Sequence, residues 1–373
     1  MLAAPILEPA SAAVAEAGVA RIALLGSGTV GQAVLDRLHQ WRSTERGDGL
    51  RLVYAANTRL ALQDSEGLCP VLTRSRLADA PRGASGCETG AVTKALGSRG
   101  VRILVDATAD AGVARRHPEL LRSGIHVATA CKLAGGTSLD LWQQIRVACA
   151  ERGTGFGDRA TVGAGLPLLR SIRELRAGGD RIHAIAGIMS GSLAWLFDRF
   201  DGSRPFSELV RDAREAGFTE PDPRDDLSGE DVRRKILILA RAAGFALDSR
   251  EVDVESLVPT ALRDVPLHQL DGVLRQIDAP LARLRDEAQR SGRTLRFVAR
   301  FEDGRARVGA EAIGPCDPLA GGGGTDNRVA IWSDRYAKQP LVIQGPGAGP
   351  EVTAAALLDD VLSLRAMALA RSG

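Results

Sequence analysis

The stretch Val19-Ala20-Arg21-Ile22-Ala23-Leu24-Leu25-Gly26-Ser27-Gly28-Thr29-Val30-Gly31 decides the expected fold. Its first seven residues are mostly apolar, which is typical of a strand buried on both faces of a parallel sheet. A Gly-x-Gly-x-x-Gly pattern follows at once and leads into the helix-like segment 32–38. A glycine-rich turn between a strand and a helix is the usual setting for a dinucleotide, whose pyrophosphate binds at the helix N-terminus.

The rest of the chain extends this pattern and then changes. Strand-like segments at 50–56, 101–106 and 124–129 alternate with helical ones, so the sequence predicts an α/β fold with a doubly wound, Rossmann-type parallel sheet. The pattern changes near residue 155, where a mixed α+β region begins. The domain limits expected from this are a flexible leader at 1–18, a nucleotide-binding domain at 19–155 completed by 338–373, and an α+β domain at 156–337.

Composition argues against a nucleic-acid-binding, membrane-spanning or disulfide-rich protein. The chain has 45% hydrophobic and 25% charged residues and a formal net charge of +2, so it offers no general attraction to nucleic acid or acidic membranes. We find no apolar stretch of the roughly 18–20 residues that a membrane span requires. The five cysteines include no Cys-x-x-Cys pair, which argues against a disulfide framework or a thiolate zinc site and favours a cytoplasmic protein.

Each glycine of the loop has an expected role in binding a cofactor. Gly26 makes the tight turn, Gly28 lets the backbone approach the pyrophosphate, and Gly31 allows close helix packing. Residues 50–63, which include the end of the second strand, contain no carboxylate to bind the ribose of NAD, whereas Arg59 is available for the 2′-phosphate of NADP. The sequence therefore favours NADPH. Two alternatives stay open: the cofactor could be NADH, and Arg59 could be a solvated loop residue without a cofactor contact.

Another candidate cofactor contact follows the strand 101–106. Thr108 lies at the carboxyl edge of the sheet, where ligands of such folds gather. The alternative is that Thr108 caps the N-terminus of the next helix.

The segment 217–235 contains the residues best suited to chemistry. It holds six carboxylates within twelve residues, and Asp231 and Lys235 are four apart, so they share one face of a helix. An apolar run starts after Lys235 and predicts that this lysine is partly buried. Such a lysine can donate a proton to a developing alkoxide, while nearby carboxylates hold a substrate ammonium. The alternative is a weak surface ion pair.

At these residues the chain resembles the homoserine dehydrogenases. The run 217–242 is similar to their signature, as are 160–167 and 187–192, and the similarity covers nearly all of 20–370. It is closest to the dehydrogenase half of bacterial bifunctional aspartokinase–homoserine dehydrogenases. Few residues precede the first strand, so we expect the kinase half to be absent. The resemblance implies NADP(H)-dependent interconversion of L-aspartate 4-semialdehyde and L-homoserine, in threonine and methionine biosynthesis.

The resemblance also implies residue roles. Lys235 would be the acid/base lysine, Asp231 its orienting and substrate-contacting partner, and Lys132 a second active-site lysine beside the nicotinamide. Glu220 would bind the substrate amino group, supported by Asp226. The region 156–337 would then be a catalytic and dimerisation domain, and the protein a homodimer. The implied cofactor contacts are Ser27, Thr29, Val30, Thr108, Lys132, Gly217 and Gly349.

A departure from the family affects a metal site. In the family, a loop matching Val162, Ala164 and Leu166 can coordinate sodium through backbone carbonyls, together with a carboxylate just before it. Arg159 stands at that position here, and a guanidinium repels a cation. The hypothesis is that the monovalent cation site is weak or replaced.

Two further departures leave other functions open. Cys131 stands where the family usually has Asn, and Ala194 where Asn or Ser is frequent. One alternative is a dehydrogenase of the same fold acting on a related amino-acid semialdehyde or hydroxy amino acid. Another is a catalytically silent NADP-binding protein, against which the joint presence of both lysines and three carboxylates argues.

Overall fold

The computed structural model describes residues 18–80 and 89–372, and these form two compact units. The first unit contains the described residues up to Cys131, Gln144–Asp158 and the chain from Thr353 onward. The second contains Lys132–Gln143 and Arg159–Val352. The expected leader at 1–18 lies almost wholly outside the described residues. Within the part that is described, no helix is long and apolar enough to cross a membrane.

The first unit is built on a six-stranded sheet covered by helices. Its strands are β1 Ala20–Leu25, β2 Leu50–Ala56, β3 Ala61–Gln63, β4 Val101–Asp106, β5 His126–Thr129 and β6 Phe156–Gly157. Its own helices are α1 Thr29–Trp41, α2 Pro70–Ala78, α3 Thr89–Leu96 and α4 Ala111–Arg122.

Strand order in this sheet is β3-β2-β1-β4-β5-β6. All neighbouring strands are parallel except β3, which is antiparallel to β2. The order reverses between β1 and β4, and ligands of open α/β sheets bind beside the carboxyl ends of the strands at such a reversal. The glycine loop 26–31 leaves β1 at this point. The predicted doubly wound sheet is confirmed.

The second unit is an α+β arrangement. Its strands are β7 Ile182–Ile188, β8 Val252–Val254, β9 Thr294–Glu302, β10 Arg305–Ile313, β11 Asp326–Ser333 and β12 Leu341–Pro346. Its helices are α5 Lys132–Gly135, α7 Leu168–Ala177, α8 Gly191–Arg199, α9 Phe206–Glu215, α10 Pro223–Leu227, α11 Glu230–Ala242, α12 Leu267–Val273 and α13 Asp278–Arg290. Two helices, α6 Leu139–Arg152 and α14 Pro350–Ser372, contribute residues to both units.

The sheet of the second unit has the order β12-β11-β7-β9-β10-β8. Its pairs are antiparallel except that β8 runs parallel to β10. Alternate residues of β9, including Phe297 and Phe301, face the helices and join the main core. Helix α11 contributes Ile236, Leu237 and Leu239 to the same core, all fully buried. This packing fixes the helix that contains Asp231 and Lys235.

The structure differs from the sequence prediction at the C-terminal strand. We expected 338–373 to complete the first domain, but β12 pairs with β11 at the edge of the second sheet, with Leu341 opposite Ile331. Only the chain from Thr353 onward belongs to the first unit. A strand joins whichever sheet offers it a hydrogen-bonding edge, and a short apolar run does not encode which edge that is.

The region 261–290 holds two helices: α12 begins after Pro266, and a 3₁₀ turn, Leu274–Ile277, separates it from α13. One strand has a different start from the one expected. The strand expected at 124–129 begins at His126, because Gly124 adopts a left-handed φ of 76°.

Candidate active site

The glycine loop of the first unit leaves open space at one position only. Gly26 has a φ of 96°, and a Cβ there would lie 2.6 Å from the Ala107 carbonyl oxygen. A Cβ at Gly31 would overlap the Gly26 carbonyl oxygen. At Gly28, by contrast, a Cβ would meet no described atom within 4 Å. Two glycines are therefore required by packing, while the third borders room for a ligand.

Helix α1 begins in this loop without help from a side chain. Gly28 is its N-cap residue and supplies no side-chain hydrogen bond. The first N–H groups of a helix, here those of Thr29, Val30 and Gly31, lack partners within the helix and attract anions. Ser27 is held beside them, because its Oγ accepts a hydrogen bond from Asn57 Nδ2 at 2.9 Å. These groups could hold a dinucleotide pyrophosphate.

Arg59 lies in the turn that follows β2. Asn57 Oδ1 accepts hydrogen bonds from the backbone N–H groups of Arg59 and Leu60, at 2.8 and 2.9 Å. Asn57 therefore links this turn to the glycine loop through Ser27. The Arg59 guanidinium, with five N–H donors, gives one of them to the Ala80 carbonyl oxygen at 3.0 Å. Arg59 is thus an ordered cation on the turn that contacts the loop.

Thr108 is fixed by the carboxylate that ends β4. Its Oγ1 donates to Asp106 Oδ1 at 2.7 Å, and its backbone N–H donates to the same oxygen at 3.0 Å. Helix α4 is capped instead by Asp110, which accepts a hydrogen bond from the Val113 N–H at 2.8 Å. The alternative that Thr108 caps this helix is therefore wrong.

Asp106 is the centre of a buried polar cluster that the sequence reading missed. Its Oδ2 lies 3.0 Å from His117 Nε2 and accepts a hydrogen bond from Thr129 Oγ1 at 3.1 Å. All three side chains are fully buried. A carboxylate that ends an otherwise apolar strand was the signal, since a buried Asp needs partners.

In the second unit, two lysines converge on one carboxylate. Lys235 Nζ lies 2.8 Å from Asp231 Oδ2, and Lys132 Nζ lies 3.2 Å from Asp231 Oδ1. Lys235 Nζ also donates to the Met189 carbonyl oxygen at 2.6 Å. The Lys235 side chain is only 10% exposed, as the apolar run after it predicted, whereas that of Lys132 is 32% exposed. One ammonium group is thus almost enclosed and the other is accessible.

Asp231 remains ionised between these lysines. Burial opposes the ionisation of its carboxyl group, but the charges of Lys235 and Lys132 and their hydrogen bonds outweigh this. The net result is a pKa of Asp231 well below the usual range. The carboxylate therefore stays charged and attracts both ammonium groups over the whole physiological pH range.

An acidic pair, Glu220 and Asp226, lies in the same unit. Asp226 Oδ2 accepts a hydrogen bond from the Glu220 backbone N–H at 2.8 Å, and its Oδ1 accepts one from Ser192 Oγ at 2.6 Å. Burial raises the pKa of Asp226, opposed by these two hydrogen bonds. The Glu220 residue itself is exposed. A cation placed here would favour the ionised form of Asp226.

The remaining predicted cofactor contacts of the second unit lie at turns. Gly217 follows α9 with a φ of 72° and is exposed. The next residue, Phe218, is 42% exposed and stacks on Trp195 with ring centroids 5.1 Å apart. Gly349 lies between β12 and α14 with a φ of 128°. Both glycines thus sit in conformations that other residues rarely adopt.

Comparison with known proteins agrees with this geometry. Residues 167–362 match the homoserine dehydrogenase family model, and residues 26–156 match the model of the homoserine dehydrogenase NAD-binding domain. The chain belongs to the homoserine dehydrogenase family. The family resemblance stated from the sequence is confirmed.

Individual relatives give the extent of the similarity. Homoserine dehydrogenase of Emericella nidulans is 33% identical over 363 residues, covering 92% of this chain and 97% of that protein. Bifunctional aspartokinase/homoserine dehydrogenase 2 of Escherichia coli is 44% identical over 260 residues, or 69% of this chain. That match covers 32% of the E. coli protein, so the chain spans about a third of the bifunctional relative.

A solved structure shows the same fold. A hyperthermophilic archaeal homoserine dehydrogenase in complex with NADPH superposes with a TM-score of 0.71 at 20% identity, covering 92% of this chain and 97% of that one.

In this chain, the loop that can bind sodium in the family is fixed by backbone hydrogen bonds and by two residues with positive φ. Gly163 and Ala164 both have positive φ, 72° and 49°, and the Leu166 N–H donates to the Gly163 carbonyl oxygen at 2.8 Å. The Leu166 carbonyl oxygen, one of the implied ligands, already accepts the Leu168 N–H at 2.8 Å. Among the residues described, no group of three or more His, Cys, Asp or Glu is placed to hold a metal.

Lysine usage is a signal that sequence reading overlooked. The chain has only four lysines, at 94, 132, 235 and 338, against forty-four arginines out of forty-eight basic residues. Two of these four meet at Asp231. Arginine cannot give up its proton near neutral pH, whereas lysine can exchange one. Asp231 thus holds two groups that can exchange a proton, in a chain that otherwise uses arginine.

Proposed function

We propose that this chain catalyses the NADP(H)-dependent interconversion of L-aspartate 4-semialdehyde and L-homoserine. The observation that carries the proposal is the meeting of Lys235 and Lys132 at Asp231, at 2.8 and 3.2 Å. Membership of the homoserine dehydrogenase family supports it. The proposed physiological place of the reaction is threonine and methionine biosynthesis.

The chain's own residues supply proton transfer. When bound, the reduced nicotinamide supplies the hydride that adds to the aldehyde carbon. Lys235 donates a proton to the aldehyde oxygen as negative charge develops there, and in the reverse direction it accepts that proton. Asp231 and the Met189 carbonyl oxygen aim the Lys235 ammonium through bonds of 2.8 and 2.6 Å. The second ammonium, on Lys132, adds electrostatic stabilisation of the same oxyanion.

Substrate recognition is proposed for the acidic pair Glu220 and Asp226. Glu220 offers an exposed carboxylate for the α-ammonium group of the substrate. Asp226 holds the Glu220 backbone in position and is itself fixed by Ser192. Burial raises the pKa of Asp226, and a bound substrate ammonium group would stabilise its ionised form.

NADPH is the proposed cofactor. The residues present fit a dinucleotide, because the N-terminus of α1 carries no side-chain cap and Gly28 borders open space. Arg59 supports the choice of NADPH over NADH, since it lies on the turn that contacts the loop through Asn57. The archaeal enzyme of the same fold was solved with NADPH.

A monovalent cation is proposed to have little effect. The Leu166 carbonyl oxygen already accepts a backbone hydrogen bond, and Arg159 replaces the family's carboxylate. We expect activity to be flat against NaCl or KCl when ionic strength is held constant with a large organic cation salt. Strong, saturable activation by sodium would contradict this.

The proposed assembly is a cytoplasmic homodimer formed through the second unit. The helices pack on one face of its sheet. On the other face a smaller apolar cluster includes Val298 and Ala330, with Trp332 and Val342 partly buried against it. The partly exposed apolar side chains of Trp332 and Val342 on this face suit an interface between two copies. The four cysteines within the described residues are free, in keeping with a reducing compartment.

The decisive experiment is a spectrophotometric assay of nicotinamide reduction with L-homoserine and either NADP or NAD. We expect turnover with NADP and a lower kcat/KM with NAD. L-serine and N-acetyl-homoserine serve as shorter and N-blocked controls, and both should be poor substrates. Efficient turnover of either control with no turnover of homoserine would indicate a related dehydrogenase instead. No turnover of any hydroxy amino acid would indicate a silent nucleotide-binding protein.

A further inference from the structure

The short segment that begins with Lys132 is attached to helix α11 at two separate places. Lys132 itself pairs with Asp231, in the first turn of α11. Its other attachment is at Arg241, near the end of the same helix. Ten residues of α helix span about 15 Å. Two contacts so far apart set the direction of the segment as well as its position.

Arg241 bonds to the backbone of this segment from within the core. Its Nη1 donates to the Gly135 carbonyl oxygen at 2.7 Å, and its Nη2 donates to that of Thr137 at 2.9 Å. Its Nε and Nη2 also donate to the Leu247 carbonyl oxygen, at 3.0 and 2.9 Å. The residue is 1% exposed. One guanidinium thus joins α5, α11 and the loop that follows α11.

Backbone packing leaves this segment little freedom to slide. A Cβ at Gly136 would lie 2.9 Å from Arg234 Cβ and 3.0 Å from the Arg234 carbonyl oxygen, both on α11. A Cβ at Gly135 would lie 3.4 Å from Ile238 Cγ1. Further along, the Leu139 N–H donates to Asp248 Oδ2 at 3.1 Å. The segment is therefore held by close contact where glycines allow it and by hydrogen bonds on either side.

The ion pair of Lys132 is too weak to hold the lysine by itself. The Lys132 and Asp231 side chains are 32% and 43% exposed, and ion pairs at such sites contribute little. Hydrogen bonds from a buried guanidinium to carbonyl oxygens are stronger, and breaking them would leave polar atoms buried without partners. Burial lowers the pKa of Arg241 to about 10, opposed by the charge of Asp248. The group therefore stays charged at neutral pH.

We propose that Arg241 is a positioning residue for Lys132: by holding the Gly135 and Thr137 carbonyl groups, it keeps the Lys132 ammonium at Asp231. The inference rests on the proposed function for its effect on turnover. Its structural part, the environment of the Lys132 amine, is independent of that function.

The kinetic test uses three variants of the enzyme with homoserine and NADP. R241M removes the donors and keeps an apolar side chain of similar length, and we expect kcat to fall about 100-fold, as for a small misplacement of a catalytic group. R241K retains the charge with fewer donors, and its kcat should lie between those of R241M and wild type. R176M is the matched control, because Arg176 donates to the Ala242 carbonyl oxygen at the same end of α11 and should leave kcat near wild type.

A double-mutant cycle separates positioning from general support of the fold. In the K132M background, R241M should lower kcat by less than about 3-fold, because Lys132 is no longer there to be positioned. An equal loss in both backgrounds would overturn the inference. If K132M has no measurable turnover, amine labelling decides the matter.

Amine labelling does not require activity. The chain has four lysines, so the acetylation rate of each can be followed by mass spectrometry after treatment with acetic anhydride. In R241M and R241K, Lys132 should react several-fold faster than in wild type, since it leaves Asp231, while the exposed Lys94 and Lys338 keep their rates. Unchanged labelling of Lys132 in a folded R241 variant would overturn the inference. Altered labelling without any turnover would count against the proposed function alone.

Discussion

Lys235 is the residue on which the proposed chemistry depends most. Replacing it with alanine removes the proton donor, and we expect K235A to lower kcat about 1,000-fold, within the range of general acid catalysis. The affinity for NADPH, measured by fluorescence titration, should change little. K338A is the control, because Lys338 is exposed and far along the sequence from both lysine sites. Unchanged turnover in K235A would refute the proton-transfer role.

Arg59 decides between the two nicotinamide cofactors at the scale of a single side chain. We expect R59Q to reduce the preference for NADP over NAD by roughly 10- to 100-fold, the equivalent of a charge-assisted hydrogen bond. The change should appear as a higher KM for NADP with little change for NAD. R42Q, which alters an arginine after α1 away from the glycine loop, is a suitable control. An unchanged ratio in R59Q would mean that the Arg59 guanidinium only orders its own turn, through the Ala80 carbonyl oxygen.

Two glycines of the loop between β1 and α1 should respond differently to the same substitution. G28A places a methyl group in open space, so we expect wild-type thermal stability and about a 10-fold higher KM for NADP through steric interference. G31A places one against the Gly26 carbonyl oxygen, so we expect a loss of about 3 kcal/mol in the free energy of unfolding.

Paired measurements of melting temperature and cofactor titration distinguish the two effects. If G28A instead destabilised the fold and left cofactor binding unchanged, the loop would have a purely structural role.

Strand β5 contains a histidine that should make stability depend on pH. Burial, with smaller contributions from the charges of Arg371 and Arg102, lowers the pKa of His126 from 6.5 to about 4. Its Nδ1 accepts the Gly155 N–H at 2.9 Å, which requires the neutral ring. Between pH 6.5 and 4 the unfolded chain binds a proton that the folded chain does not, so stability decreases as the pH falls through this window.

The shift corresponds to about 3 kcal/mol over the window. We therefore expect the free energy of unfolding of H126N, from chemical denaturation, to change less with pH than that of wild type. Parallel curves for H126N and wild type would show that His126 is not responsible.

At the scale of the whole molecule, the second sheet is expected to join two copies. The chain has a mass of 39.3 kDa, so light scattering after gel filtration should give about twice that value. W332E places a charge on the apolar face of this sheet and should shift the protein toward monomer. Q339E, on an exposed residue after β11, is the charge-matched control. A monomeric wild-type protein would contradict the proposed dimer.

Local features were determined by the sequence alone. The glycine loop, the alternation of strands and helices in the first unit, and the pairing of Asp231 with Lys235 all depend on residues within a few positions of each other. Turn geometry and helix periodicity act over this range, so their consequences can be derived without knowledge of the packing. Even the burial of Lys235 followed from the apolar run beside it.

Other features were decided only when distant segments packed together. The family resemblance named Lys132, but the position of its ammonium at Asp231 depends on Arg241 holding the segment from the far end of α11. The contact of the Met189 carbonyl oxygen with Lys235 and the pairing of strand β12 with the second sheet were also decided by tertiary packing. Each of these contacts joins residues far apart in the sequence, and no local propensity encodes which partner the tertiary fold will supply. The glycine loop could therefore be predicted from the sequence, whereas the geometry of the lysine site was set by the packing around α11.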